Sequence, residues 1–200
     1  MNWKTRLTGS NRAVFLDRDG TIHPDTGYLH HPDEVAIYPA ARRGMKLLAD
    51  RDFLLFLVTN QSGVGRGYFP AGAVERVHEK IVAELAADGI GLAGIAYCPH
   101  RPDEGCRCRK PAPGMILDLA ARHGVDLARS YMVGDQPTDI EAGRRAGCRT
   151  VLLAGTRELS GWRRQEGWRD PDWVAGDLLE AAFWITRAAP EEAEKNETNR

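Results

Sequence analysis

No apolar run in this 200-residue sequence is longer than Phe53–Val58, which is far too short to cross a bilayer. The opening "MNWKTRLTGSNR" holds no apolar core of signal-peptide length, so a cytoplasmic location is expected. Charge of one sign is missing too: 27 Lys and Arg against 28 Asp and Glu leave a formal net charge of -1. That balance gives no overall pull toward nucleic acid or an anionic membrane, so neither is expected as a partner and a small molecule fits better. Cysteine is scarce, and three of the four lie between residues 98 and 108, which suits metal ligands better than a disulfide framework. Internal repeats are absent, and the length calls for one domain, expected over residues 1–188 and acting as a monomer. The polar, aperiodic end of the chain, 189–200, reads as a disordered tail.

What is present is a regular alternation. Short apolar runs at 13–16, 54–58, 94–98, 131–133 and 150–153 are separated by segments with helical spacing. The helices are predicted over Ala40–Asp50, Ala71–Asp88 with Gly89 as its stop, Gly114–His123 and Pro137–Ala146. The pattern predicts an α/β fold, a doubly wound and mainly parallel sheet covered on both faces.

Ligands bind such sheets beyond the carboxyl ends of the strands, and here those ends carry chemistry. The stretch "AVFLDRDGTI" runs from a buried strand into Asp17 and Asp19. If the backbone stays extended, alternation puts both carboxylates on one side with Arg18 opposite. Like charges that close repel, which calls for a shared proton or a cation between them. "YMVGDQPTDIEAG" adds Asp135 just past another strand and Asp139 at the start of the next helix. Hard oxygen ligands around one crevice suit Mg²⁺, which commonly bridges carboxylate to phosphate. "LVTNQSGVGRG" offers the Thr59 hydroxyl, the Asn60 amide and open backbone at Gly63, Gly65 and Gly67, and "CRKPAPG" brings Arg109 and Lys110. Singly, each feature is a turn, a strand end or a solvated charge; in this order, each at a strand end or helix start, they compose a phosphoryl-transfer site.

A second constellation is "CPHRPDEGCRCRK", with Cys98, His100, Cys106 and Cys108 spaced C-x-H-x5-C-x-C. Three thiolates and an imidazole make a closed tetrahedral Zn²⁺ site, hence a structural one, folding a loop with little apolar content. Such a staple would hold Arg109 and Lys110 in position. Cys148 lies apart and reads as a small core residue.

The four motifs, "DRDGT", Thr59, Lys110 and "GDQPTD", resemble those of the haloacid dehalogenase superfamily of phosphatases, over about Arg12 to Leu153. The resemblance implies a fold without a large cap domain and assigns roles. Asp17 would be the nucleophile and Asp19 the acid and base; Thr59 and Lys110 would bind the phosphoryl group. Mg²⁺ would be held by Asp17, the Asp19 main-chain carbonyl and Asp135, with Asp139 orienting Lys110 or a metal-bound water. The cysteine loop narrows the resemblance to a branch of sugar-bisphosphate and histidinol-phosphate phosphatases. Within it, "DTGYLHHPDEV" and "VTNQSGVGRGYF" look like enzymes that act on a heptose bisphosphate. On that resemblance Asp25, Thr26, Gly27, Tyr28, Thr59, Asn60, Gln61, Ser62, Arg109 and Lys110 form the phosphosugar site. Tyr28 alternatively reads as a packed aromatic, and Arg66 as either a contact to a second phosphate or a solvated loop residue. Gln136 departs from the Lys or Arg that relatives often carry after the metal-binding Asp. His23, His30 and His31 read as surface-loop residues, while His78 and His123 sit on helices with no assigned role. A segment rich in tryptophan and arginine reads as a loop packed by Trp162, Trp168 and Trp173, with a partner-binding surface as the alternative.

Overall fold

The computed structural model describes residues 11–154 and 169–188. Its strands are β1 (Ala13–Leu16), β2 (Leu54–Asn60), β3 (Gly94–Cys98), β4 (Tyr131–Gly134), β5 (Arg149–Leu153) and β6 (Trp173–Ala175). The helices are α1 (Pro39–Ala49), α2 (Ala71–Ala87), α3 (Gly114–His123), α4 (Pro137–Ala146) and α5 (Leu178–Ala188). All pairings are parallel, in the order β3-β2-β1-β4-β5-β6. The doubly wound fold read from the alternation is the fold observed.

Every residue of β1 is buried, as a central parallel strand covered on both faces requires. Alternation splits the core accordingly. Val14 and Leu16 join Leu55, Leu57, Val133 and Val151 under α1, α2 and α5. Phe15 joins Phe56, Val58 and Met132 under α3 and α4. Pro39 begins α1, where its missing N–H costs nothing, and Gly89, at φ +71°, follows the end of α2 as expected.

β6 and α5 lie beyond the segments that periodicity picked out. Trp173, read as loop packing, instead starts β6 and stacks on Trp184 of α5 at 5.6 Å. A three-residue strand gives too short an alternation to register in sequence. Trp162, Trp168 and the tail at 189–200 lie outside the described residues. Among the described residues no helix is long and apolar enough to cross a membrane.

The strand order reverses between β1 and β4: the chain moves outward through β2 and β3, then returns to build β4 to β6 on the other side. A crevice opens there, at the carboxyl ends of the strands.

Candidate active site

Asp17 is the first residue past β1, and its N–H donates to the Val133 carbonyl of β4 at 3.0 Å. The chain then reverses tightly: the Arg18 carbonyl accepts from the N–H groups of Ile22 at 3.0 Å and His23 at 3.2 Å. Gly20 makes the turn at φ +81°, a region open to glycine at little cost. The extended backbone expected through Asp19 therefore gives way to a turn. Arg18 does not point away from the carboxylates: its guanidinium is wholly buried, and Nε donates to Asp19 Oδ1 at 3.0 Å. A cation this deep needs a partner, and the nearest carboxylate supplies it. Gln61 Nε2 donates to the other Asp19 oxygen at 2.8 Å and to Thr59 Oγ1, also at 2.8 Å.

Lys110 reaches the same crevice from the opposite side. Its Nζ lies 2.5 Å from Asp17 Oδ1 and 2.7 Å from Asp139 Oδ1, and it donates to the Val58 carbonyl at 2.8 Å. Asp139 has a double task, because its second oxygen accepts from the Gln136 N–H at 3.0 Å and so caps α4. Gly134 makes room for it: a Cβ there would fall 2.2 Å from Asp139 Oδ2.

The electrostatics follow from this crowding. Burial, then repulsion from Asp139 and Asp19, pushes the Asp17 carboxyl well above the usual carboxylate range although Lys110 pulls the other way. Burial pulls the Lys110 ammonium down, but Asp139 and Asp17 outweigh it and hold its pKa above the ordinary lysine value. Carboxylate oxygens of Asp17, Asp135 and Asp139 all lie within 4.8 Å of one another. Three buried hard-oxygen donors against a single ammonium fit a divalent cation, whose charge would relieve the repulsion at Asp17.

The cavity over these groups has a volume of about 280 Å³. Asp17, Asp19, Thr59, Asn60, Arg109 and Lys110 line it, joined by Asp25 and Gly27 from the loop after the β1 turn. Asp135 borders a neighbouring cavity of about 400 Å³ on the Gly20 side. Thr26, Tyr28, Gln61 and Ser62 do not line the 280 Å³ cavity. Tyr28 is half-exposed and stands edge-on to Tyr68 at 4.9 Å and to Phe69 at 6.4 Å.

Gln136, which departs from the Lys or Arg of relatives, and Thr138 also line the cavity, a role that no motif in the sequence gives them. Their signal was position, since the start of the helix after a motif-bearing strand faces the crevice in this architecture. His78 and Arg18 form a further pair, with His78 Nε2 3.4 Å from Arg18 Nη1. His23 is also not the surface residue expected. It is buried, with its ring nitrogens 2.5 Å from the Pro24 carbonyl and 3.0 Å from that of Glu34.

The cysteine loop closes on itself. Cys98 Sγ lies 3.5 Å from His100 Nδ1 and from Cys106 Sγ, and Cys108 Sγ lies 3.2 Å from His100 Nδ1, 3.3 Å from Cys98 and 3.4 Å from Cys106. No disulfide joins them. Separations of this size are near the edges of a tetrahedron around one ion with sulfur and nitrogen ligands, so the four could hold a metal. The loop is tied to the crevice directly. Arg109 Nη1 donates to the His100 carbonyl at 3.3 Å. Asn60 and Lys110 exchange side chain–backbone hydrogen bonds at 3.1 and 3.2 Å.

A parallel sheet with two acids past its central strand, and a buried lysine and further acids at the switch point, defines a haloacid dehalogenase-like architecture. The family model described as HAD-hydrolase-like matches residues 107–181. The D-glycero-beta-D-manno-heptose-1,7-bisphosphate 7-phosphatase of Haemophilus ducreyi is 39% identical over 181 residues, covering 87% of this chain and 98% of the relative. The D-glycero-D-manno-heptose-1,7-bisphosphate 7-phosphatase of Thermosynechococcus vestitus is 37% identical over 89% of this chain and 97% of the relative. Among solved structures, the D,D-heptose 1,7-bisphosphate phosphatase of B. bronchiseptica, complexed with magnesium and phosphate, superposes with a TM-score of 0.80 at 36% identity, covering 89% of this chain and 99% of that one. The chain belongs to this heptose bisphosphate phosphatase family of the haloacid dehalogenase superfamily.

Proposed function

We propose that the chain is a Mg²⁺-dependent phosphatase that removes the C7 phosphate of D-glycero-D-manno-heptose 1,7-bisphosphate through an aspartyl-phosphate at Asp17. What supports the reading most is the Asp17–Lys110–Asp139 cluster in the switch-point cavity of a chain this similar to phosphatases of that name.

An Asp17 oxygen attacks phosphorus, and the bond from phosphorus to the sugar C7 oxygen breaks. Asp19 delivers a proton to that leaving oxygen. In the second step Asp19 takes a proton from water as the water oxygen bonds to phosphorus; the bond to Asp17 breaks and inorganic phosphate leaves. Lys110 and the Thr59 hydroxyl bind the phosphoryl oxygens, and Asp139 keeps Lys110 aimed. Asp17, Asp135 and the Asp19 carbonyl would hold Mg²⁺, which when bound supplies charge stabilisation for the transferring group.

Asp25 and Gly27 reach the sugar across the cavity, and Thr26 and Tyr28 complete that loop. Asn60 and Arg109 would contact the sugar as well, with Gln61 and Ser62 following Asn60 in the chain. At the cysteine loop, Cys98, His100, Cys106 and Cys108 would hold structural Zn²⁺. The working location is the cytoplasm.

A panel of phosphosugars and histidinol phosphate, compared as kcat/KM in Mg²⁺, tests the substrate. The heptose bisphosphate should lead the panel, and Asp17→Asn should abolish its turnover. A preference for histidinol phosphate would replace the substrate, and undiminished Asp17→Asn turnover would remove the nucleophile.

A further inference from the structure

We propose that His78 is a positioning residue for Asp19, acting through the buried guanidinium of Arg18; the proposal rests on the reading of Asp19 as acid and base.

α2 carries His78 into the interior, where it is 7% exposed. Its Nε2 faces Arg18 Nη1 at 3.4 Å. A guanidinium offers only donors, so Nε2 must accept, and the ring is neutral with its proton on Nδ1. The environment agrees: burial first, then the Arg18 charge, lowers the His78 pKa to about 4 against a smaller opposing pull from Asp19. Tyr97 of β3 meets the imidazole edge-on at 5.7 Å and steadies it from another side.

Arg18 makes one aligned contact to Asp19, from Nε to Oδ1 at 3.0 Å. Its Nη2 lies 2.9 Å from Oδ2 but is not aligned as a hydrogen bond. The Nε bond and the Nη2 ion pair tie the guanidinium to Asp19 but, among the described residues, to nothing else on that edge; the acceptor at Nη1 anchors the same plane to α2, so fork and carboxylate are held together in one place. With the plane fixed, Arg18 sets one Asp19 oxygen and Gln61 the other, so the carboxylate torsion is determined. Losing the acceptor at His78 would strand a donor of a fully buried cation, and the guanidinium would re-aim, taking Asp19 with it.

The leaving group supplies the test. kcat/KM reports the steps through cleavage of the bond to the leaving oxygen, where a sugar alkoxide needs a proton from Asp19 and p-nitrophenolate does not. His78→Leu should lower kcat/KM on the best sugar phosphate of the panel by about 10-fold to 100-fold, and on p-nitrophenyl phosphate by less than about 3-fold. His78→Gln, whose Oε1 can take the place of Nε2, should restore the sugar phosphate rate. Melting curves establish that each variant is folded, and His78→Met serves as the apolar replacement if Leu does not fold. Equal losses on both substrates, no loss in a folded apolar variant, or no rescue by Gln would each overturn the role. Asp19→Asn separates this from the underlying reading. If it keeps full turnover of the sugar phosphate, the acid and base assignment fails. If it shows the leaving-group signature while His78→Leu does not, only the His78 role fails.

Discussion

Gly20 lies so close to Asp135 that a Cβ at Gly20 would sit 2.4 Å from Asp135 Oδ2. The turn after β1 and the acid after β4 are therefore built against each other, and they are the two sides of the strand-order reversal. Gly20→Ala is penalised twice, by φ +81° and by the collision. It should destabilise the fold by about 1–3 kcal/mol and cut kcat/KM by about 100-fold, because Asp135 has to move. Melting temperatures and kinetics across a Mg²⁺ titration check it. Wild-type kinetics in Gly20→Ala would mean that the Asp135 carboxylate is not needed where it stands.

Lys110 is held by two acids in a dry site, with little exposure of its own. Lys110→Met removes the ammonium that bridges Asp17 and Asp139, and in the metal-free protein it breaks a buried ion pair of the kind that costs about 3–5 kcal/mol. Turnover should fall by about 1,000-fold or more if the ammonium stabilises the transferring phosphoryl group. Asp139→Asn is the milder change, since Lys110 keeps Asp17 and the Val58 carbonyl. Single-turnover kinetics on both variants should rank them in that order, and the reverse order would show that Asp139 does more than aim Lys110.

Much of this was readable in the sequence because parallel strands and amphipathic helices leave strong periodic marks. β1, β3 and α3 stand where the patterns put them. Asp17 and Lys110, 93 residues apart, meet because Asp17 directly follows β1 and Lys110 lies in the loop from β3 to α3, and the rule for open α/β sheets gathers the loops at the strands' carboxyl ends around one crevice. What alternation could not anticipate was the turn at Arg18, since the period-2 rule stops when the chain leaves the sheet. Alternation puts Arg18 opposite the acids for that reason, although a buried guanidinium has to find a carboxylate. His78 and His23 were illegible for a related cause: a lone histidine shows its burial only once the helix or turn that carries it is docked. Gln136 and Thr138 enter the cavity through the docking of α4, whose start the architecture sends to the crevice while residue type alone does not mark these two as lining it.

The cysteine loop should carry about one equivalent of zinc per chain by elemental analysis, with the four ligand atoms already gathered within 4.8 Å of one another. Cys108→Ser should weaken retention of the metal under a chelator and lower the melting temperature. Activity should fall alongside, because the Asn60–Lys110 exchange ties this loop to the crevice. Chelation that strips the metal while leaving both stability and turnover untouched would refute the staple.

His78 also predicts a pH dependence of stability. Burial and the neighbouring Arg18 hold its folded pKa at about 4, below the 6.5 of an ordinary histidine. Between those values the unfolded chain binds a proton that the folded chain refuses, so stability rises with pH across the window and is lost as pH falls from about 6.5 to about 4. Below that, both states are protonated and the loss is complete. The full effect is about 3 kcal/mol, and it should vanish in His78→Gln, which has no proton to take. Urea unfolding of both proteins at intervals from pH 7.5 to 4 isolates it, because the carboxylates titrate alike in each and cancel in the difference. The variant should gain on the wild type steadily as the solution is acidified through the window, and parallel pH profiles would show that His78 takes up its proton as readily in the fold as in the unfolded chain.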